Sequence, residues 1–148
     1  MPKPVYSVAW ASVRFMAPNL DPLVVTKATR LPADTQHRRG EPHIRRSRKS
    51  GNVREYSPFH AGLWVMTSES WVESLSLETH IIWLLDQLEP KAQSIHAIRV
   101  NDLEIDFFCC SIGNTPSPPP ISRETTGRAE ALGIRIEIDH YDSSDDRH

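Results

Sequence analysis

Four segments of the chain alternate between apolar and polar residues with a period of two, which is the pattern of a β-strand with one buried face. In the first segment, Ala11, Val13 and Phe15 fall on one face, while Trp10 and Arg14 fall on the other. The four segments are Val5–Met16, Gly62–Ser68, Leu103–Ile112 and Ile134–His140. We predict that their central residues form strands of one sheet.

The strongest helical pattern lies between the second and third of these strands. Apolar residues spaced by four, three and four positions predict a helix from Ser76 to Leu88 with one apolar stripe. The stripe consists of Leu77, Ile81, Leu84 and Leu88. We expect it to pack against one face of the sheet. Pro90 removes a helical hydrogen bond, so we predict a break there and a second helix over Lys91–Ile98. That second helix is expected to bury Ala92, Ile95 and Ile98.

Two shorter helices are indicated by their end signals. Asp21 is a good N-cap, and proline suits the first helical position, so a helix is predicted over Pro22–Thr29. Ser122 can cap a weaker helix that runs to Leu132, because Gly133 then takes the position after the helix that favours glycine.

These elements define an α+β fold class. We expect a largely antiparallel sheet of four to five strands, with the helices packed mainly on one face, in an arrangement that is ferredoxin-like in part. Residues 1–148 fit the usual length of a single domain. Trp64 and Trp83 are expected to be at least partly buried. The pattern does not determine the order of the strands.

Charge is distributed unevenly along the chain. The net charge is −2 overall, but residues 37–54 contain seven Arg and Lys residues and one Glu, so that segment carries +6 and the remainder −8. No periodicity is visible in this region, and residues 37–58 are predicted to be a basic loop or hairpin insert, mobile or exposed to solvent. Residues 142–148 are predicted to be a frayed acidic tail.

The basic segment supplies the candidate contact residues, to which the nearby His60 is added. They are Arg38, Arg39, Arg45, Arg46, Arg48, Lys49, Arg54 and His60. Three interpretations of the segment are open: a solvated surface loop, a docking surface for an acidic protein, or a site for nucleic acid or another phosphate-bearing ligand. Only Tyr56 and Phe59 are available nearby to stack on bases. The acidic remainder of the chain disfavours a long polyanion.

Motifs that identify common enzymes are missing from the sequence. It contains neither a Gly-x-Ser-x-Gly elbow, nor a P-loop, nor a dinucleotide fingerprint. The spacing of His37, His43 and His60 matches no structural zinc pattern. We therefore expect no metal, no cofactor and no catalytic residue. His80, beside the apolar stripe of the long helix, is interpreted as a satisfied, partly buried histidine and not as a catalytic one.

Two local features have structural interpretations. Cys109 and Cys110 are adjacent, so on a strand they point to opposite faces, and we interpret them as small buried or half-buried hydrophobic residues. The alternative is a strained vicinal disulfide or a redox site. Glu104 and Asp106 share one strand face, which we interpret as an exposed polar surface.

The start of the chain carries no secretory signal pattern and no apolar run reaches the length of a membrane span. The predicted location is cytoplasmic, without a membrane partner.

Several segments, taken in order, resemble a known bacterial family. They are Asn19-Leu20-Asp21-Pro22, Arg38-Arg39-Gly40-Glu41-Pro42, Gly62-Leu63-Trp64, the helical segment 80–91, Asp106-Phe107-Phe108-Cys109 and Ala131-Leu132-Gly133-Ile134. Together they resemble domain of unknown function 4279 over roughly residues 6–142. The basic residues 45–58 and the weak helix before Gly133 depart from the pattern of the family. The resemblance implies a small α+β fold and no particular chemistry.

The function predicted from the sequence is a non-catalytic protein-binding module, with an acidic protein as partner. An inhibitor or immunity role is one form of such a module, by analogy with other small bacterial domains. The alternative is an enzyme or binding protein that acts on a phosphate-bearing ligand or nucleic acid through residues 38–54. The two are distinguished by shape, because an enzyme needs a concave site where Arg38, Arg39 or His60 meets a carboxylate. The oligomeric state is left open.

Overall fold

Seven strands and four α-helices appear in a computed structural model that describes residues 5–100 and 102–146. The strands are β1 (Tyr6–Ala17), β2 (Thr35–His37), β3 (His43–Arg46), β4 (Val53–Tyr56), β5 (Gly62–Thr67), β6 (Glu104–Gly113) and β7 (Arg135–Asp142). The helices are α1 (Pro22–Thr29), α2 (Leu77–Leu88), α3 (Ala92–Ile98) and α4 (Arg123–Ala131).

The main sheet has five strands in the order β2-β5-β1-β6-β7, and β3 and β4 form a separate two-stranded hairpin. β5 and β6 both run antiparallel to β1, whereas β7 runs parallel to β6. The predicted α+β class is confirmed, and the four predicted strands share one sheet. The connection from β5 to β6 runs through α2, which packs on the intervening β1. This split βαβ unit is the ferredoxin-like part of the fold.

The core lies between the sheet and the helices, where alternate residues of β1, β5 and β6 are buried. Phe15 of β1 and Trp64 of β5 meet edge to face, with ring centroids 5.3 Å apart. The Trp64 indole N–H donates to the hydroxyl of Thr26 in α1 at 3.1 Å, which ties that helix to the sheet. Trp64 is fully buried and Trp83 is half-buried, as predicted.

The long predicted helix is interrupted where proline requires it. α2 ends at Leu88, a 3-10 turn over Glu89–Lys91 contains the proline, and α3 follows at once. The four stripe residues of α2 are all buried, and so is Ile95 of α3. The predicted burial of Ala92 is wrong, since this residue is exposed. Ile95 lies seven residues after Leu88, two helical turns further on, whereas Ala92 is the first residue of α3, directly after the 3-10 turn.

The sheet face opposite the helices carries a buried ion pair. Arg14 of β1 lies directly across from Asp106 of β6 and donates to both of its carboxylate oxygens, at 2.8 and 2.7 Å. The Asp106 side chain is 2% exposed. The interpretation of Asp106 as an exposed residue is therefore wrong, because the guanidinium of its cross-strand neighbour covers it. Glu104, two positions earlier, is exposed as expected.

The C-terminal residues continue the sheet further than the composition indicates. β7 ends at Asp142, and a 3-10 turn over Ser143–Asp146 follows. The Ser143 hydroxyl donates to the Gly113 carbonyl at 3.0 Å, and Ser144 donates to the Asp142 carboxylate. The predicted frayed tail thus begins with this hydrogen-bonded turn, while residues 147 and 148 lie outside the described residues. The assignment of residues 1–148 to a single domain stays a prediction.

Candidate functional site

The basic segment forms a hairpin of two four-residue strands, β3 and β4, that pairs with no strand of the main sheet. Its connection is closed by two backbone hydrogen bonds, Ser47 N–H to the Asn52 carbonyl at 2.8 Å and Gly51 N–H to the Ser47 carbonyl at 2.9 Å. Gly51 has a φ of 70°, a conformation that glycine adopts without strain. We refer to residues 43–56 as the basic hairpin.

Five cations of the basic hairpin are exposed to solvent. They are Arg45, Arg46, Arg48, Lys49 and Arg54. With Glu55 as the hairpin's only carboxylate, its net charge is +4. Within the described part of the chain, no ion pair involves any of the five side chains. The hairpin therefore presents cationic groups that no neighbouring carboxylate neutralises.

The two faces of the basic hairpin differ in chemistry. Arg45 lies directly opposite Arg54, and the Arg54 guanidinium lies 5.7 Å from the centre of the Tyr56 ring. These three residues line a shallow groove of about 520 Å³. The other face carries Ile44 and Val53, each 56% exposed. One face is thus cationic and aromatic, and the other offers apolar area beside charge.

A stack of four rings anchors the basic hairpin to the edge of the sheet. Phe59 lies between His37 of β2 and His43 of β3, with centroid distances of 3.5 and 4.3 Å, and His43 also meets Tyr56 at 4.8 Å. Two backbone hydrogen bonds join Phe59 to the preceding turn, from Gly40 N–H at 2.8 Å and to the Glu41 carbonyl at 3.1 Å. Because both faces of Phe59 are covered, only Tyr56 is left to stack on a ligand.

Burial in this stack lowers the pKa of His37 below its usual value. The loss of solvent around the ring is the main cause, and a hydrogen bond with the backbone of Ala61 opposes it in part. The Nδ1 atom of His37 is buried without a hydrogen-bond partner among the described residues. This environment favours the neutral form of the ring, which stacks on Phe59.

The remaining three candidate residues lie outside the basic hairpin. Arg38 forms an ion pair with Asp21 at 2.9 Å, and Arg39 contacts the amide oxygen of Asn19 at 3.5 Å. His60 is exposed. Arg38 does meet a carboxylate, but both partners of that pair are about half exposed, and Arg39 and His60 do not join them. The structure brings together five of the eight predicted residues and separates the other three.

The sequence indicated the cations but not the ring stack that positions them. The sequence offers Tyr56 and Phe59 as residues that could stack on a ligand. In the structure, His37 and His43 stack on Phe59 instead. The sequence does show His and aromatic residues on both sides of the basic residues. That pattern indicates a ring stack only together with the strand register, which places His43 opposite Tyr56.

His80 and Cys109 occupy buried positions in the core. His80 is 1% exposed; its Nδ1 lies 2.6 Å from the Ser68 hydroxyl, and its Nε2 lies 2.8 Å from the Ser74 carbonyl. Both ring nitrogens have partners, as expected, but the ring is fully buried and not only partly so. Burial raises the pKa of Cys109 to about 12, with a further contribution from the charge of Asp106. Such a thiol is a poor nucleophile at neutral pH.

In residues 5–100 and 102–146, no three His, Cys, Asp or Glu side chains are grouped so that they could hold a metal ion. No helix in these ranges has the length and apolar character to cross a membrane.

Comparison with known proteins supports a family assignment. None of the curated proteins matches this chain, and none of the solved structures does. Among protein families, the one described as "Domain of unknown function (DUF4279)" matches residues 5–143, which is nearly the whole sequence. The chain belongs to this family of domains of unknown function.

Proposed function

We propose that the protein is a non-catalytic binding module that docks an acidic protein through its basic hairpin. The observation that supports this most directly is the exposure of five cations without a neutralising carboxylate in the described part of the chain. A surface of this kind accelerates encounter with an acidic partner and selects against basic ones.

Apolar residues beside the cations favour a protein as the partner. Ile44 and Val53 are exposed on the same face as Arg46, at positions where a purely solvated hairpin has no need of apolar side chains. Protein interfaces combine a central apolar contact with arginine and a polar rim. The chain outside the basic hairpin has a net charge of −6, which repels a long polyanion but tolerates a local contact. An inhibitor or immunity role requires that this partner be an enzyme or toxin with an acidic surface.

Poly-L-glutamate provides a defined acidic polypeptide with which to test the proposal by fluorescence anisotropy at low salt. The triple variant R46A/R48A/K49A is expected to bind about tenfold more weakly or worse, mainly through slower association. A matched control, K27A/K91A/R123A, removes the same charge from exposed or half-exposed positions elsewhere. Equal losses in the two variants would show that only net charge matters and would contradict the proposal.

The cationic face supports a second candidate, a phosphate-bearing ligand. Arg45 and Arg54 face each other next to Tyr56, an arrangement that suits a phosphate with an adjoining ring. Gel-shift titration with random duplex and single-stranded DNA tests it. Tight duplex binding with a log–log salt slope of about −3 to −5, from about −0.9 per phosphate, would replace the protein partner with nucleic acid.

A further inference from the structure

The last strand of the sheet has an outer edge that, over Arg135–Asp139, pairs with no other strand of the described residues. β7 comprises eight residues, and its strand partner within the described residues is β6. The opposite edge strand, β2, has three residues. Unpaired edges invite the addition of another strand, and natural proteins commonly keep such edges short. The length of β7 therefore requires an explanation that the basic hairpin, beyond the other edge of the sheet, does not supply.

A groove lined by both apolar and charged residues runs along the same edge. It has a volume of about 820 Å³ and lies between α4 and β7. The apolar residues lining it include Ile121, Ile134, Ile136 and Ile138. Ile136 and Ile138 belong to the free strand itself and are only half-buried. A strand added to this edge would cover both isoleucines and also satisfy the backbone.

We propose that β7 pairs antiparallel with β7 of a second copy of this chain, about a two-fold axis that passes at Glu137. In this register Arg135 lies opposite Asp139 of the second copy, and Ile136 lies opposite Ile138. Each pair occurs twice by symmetry, as in any isologous interface. The two five-stranded sheets become one sheet of ten strands. This surface is separate from the basic hairpin, so the dimer forms whether or not the hairpin binds an acidic protein.

Charge complementarity selects the second copy and this register. A shift of the axis to Ile138 places Glu137 opposite Asp139 twice, and like charges directly opposite destabilise a strand pair. A shift to Ile136 leaves only Arg135–Glu137 of each strand paired, because β7 begins at Arg135. The axis at Glu137 gives a five-residue ladder with two opposite-charge pairs. Its one unfavourable contact is Glu137 against its own copy.

Sedimentation velocity over a dilution series tests the dimer. The wild-type protein is expected to dimerise, and R135D and D139R are each expected to weaken dimerisation about tenfold or more, because each places like charges opposite. The double variant R135D/D139R exchanges the two charges and is expected to restore the dimer. R123D is the matched control, since it makes the same charge change at an exposed position of α4 and leaves the dimer intact.

A second variant is expected to strengthen the dimer, a result that misfolding does not produce. E137Q removes the repulsion at the axis, so it is expected to tighten the dimer by about two- to fivefold. A wild-type protein that is monomeric throughout the series overturns the proposal, as does a double variant that fails to recover while E137Q has no effect. A dimer that survives R135D and D139R but is lost in R46A/R48A/K49A overturns it as well, because the copies then associate through the basic hairpin.

Discussion

Arg45 and Arg54 face each other across the basic hairpin, each exposed and each without an ion-pair partner in the described residues. Like charges directly opposite on paired strands destabilise the pair by about 0.2–1 kcal/mol. The hairpin therefore carries an electrostatic cost in the free protein. An acidic partner would remove that cost on binding, which couples ordering of the hairpin to recognition.

Replacing Arg54 by threonine separates hairpin stability from binding. R54T removes the repulsion and introduces a residue that favours strands. We therefore expect the local opening free energy of the β3 and β4 amides to rise by about 0.2–1 kcal/mol, which slows their hydrogen exchange. Poly-L-glutamate should bind more weakly to the same variant. R123T, at an exposed position of α4, is the matched control and should alter neither quantity. Faster exchange in R54T would mean that the Arg54 contact with Tyr56 outweighs the repulsion.

The elements that could be predicted from the sequence are those whose signals are local. The apolar stripe of α2 and the proline at its end are legible in consecutive residues, and both appear where expected. The ion pair of Arg14 with Asp106 was missed because it joins residues 92 positions apart. Its recognition needs the order and register of β1 and β6, which alternation alone does not determine.

At the candidate site, too, features within one segment could be predicted from the sequence, whereas contacts between distant segments could not. The five hairpin cations are a compositional feature, so a count of charges located them. The stack of His37, Phe59 and His43 depends on contacts between the edge strand, the hairpin and the segment before β5. No periodicity within one segment encodes such a contact. The position of β7 at the edge of the sheet likewise depends on the strand order, which alternation within one segment does not determine.

Acidification should loosen the ring stack through His37. Its pKa lies below the usual value because burial disfavours the charged ring, with the Ala61 backbone and Glu41 opposing the shift and His43 adding to it. In the unfolded chain the pKa of the ring is about 6.5. As the pH falls through that value, the unfolded segment binds a proton more readily than the stacked one, so the stability of the stack decreases. Above that value its contribution is fully present.

Ring resonances of Phe59 report this change by NMR. In an H43Q background, His37 is the histidine left in the stack, and the Phe59 shifts should move toward those of an unstructured ring between about pH 7.5 and about pH 5. In H37Q with His43 retained, that part of the titration should be lost. Phe59 shifts that are independent of pH in both variants would show that protonation of His37 does not open the stack.

The adjacent cysteines should differ sharply in reactivity. Burial raises the pKa of Cys109 to about 12 from a usual value near 9.0, so its thiolate is about a thousandfold scarcer than that of an ordinary thiol. Cys110 is half-exposed on the opposite face, and burial followed by the charge of Asp139 also raises its pKa. A disulfide reagent near pH 8 should modify Cys110 first and Cys109 only after unfolding. The C110S variant should show no fast phase, and equal rates for both thiols would contradict the assignment.

The ion pair of Arg14 and Asp106 offers the clearest test of energetics in the sheet. The hydrogen bond with Asp106 raises the pKa of Arg14, and the guanidinium also lies 4.5 Å from the centre of the Phe108 ring. R14L leaves a carboxylate that is 2% exposed without its partner. Breaking such a pair on one side costs about 3–5 kcal/mol, whereas replacing both partners by apolar residues is often nearly neutral.

We therefore expect R14L to lower the free energy of unfolding by about 3 kcal/mol or more, and R14L/D106L to recover most of that loss. Urea unfolding followed by tryptophan fluorescence measures both, with E104L as a control, since Glu104 is exposed on the same strand face. The recovery distinguishes a desolvated carboxylate from simple loss of the Arg14 contact with Phe108, because that contact is absent in both variants. A double variant as unstable as R14L would show that the packing of the guanidinium, and not the charge of Asp106, accounts for the loss.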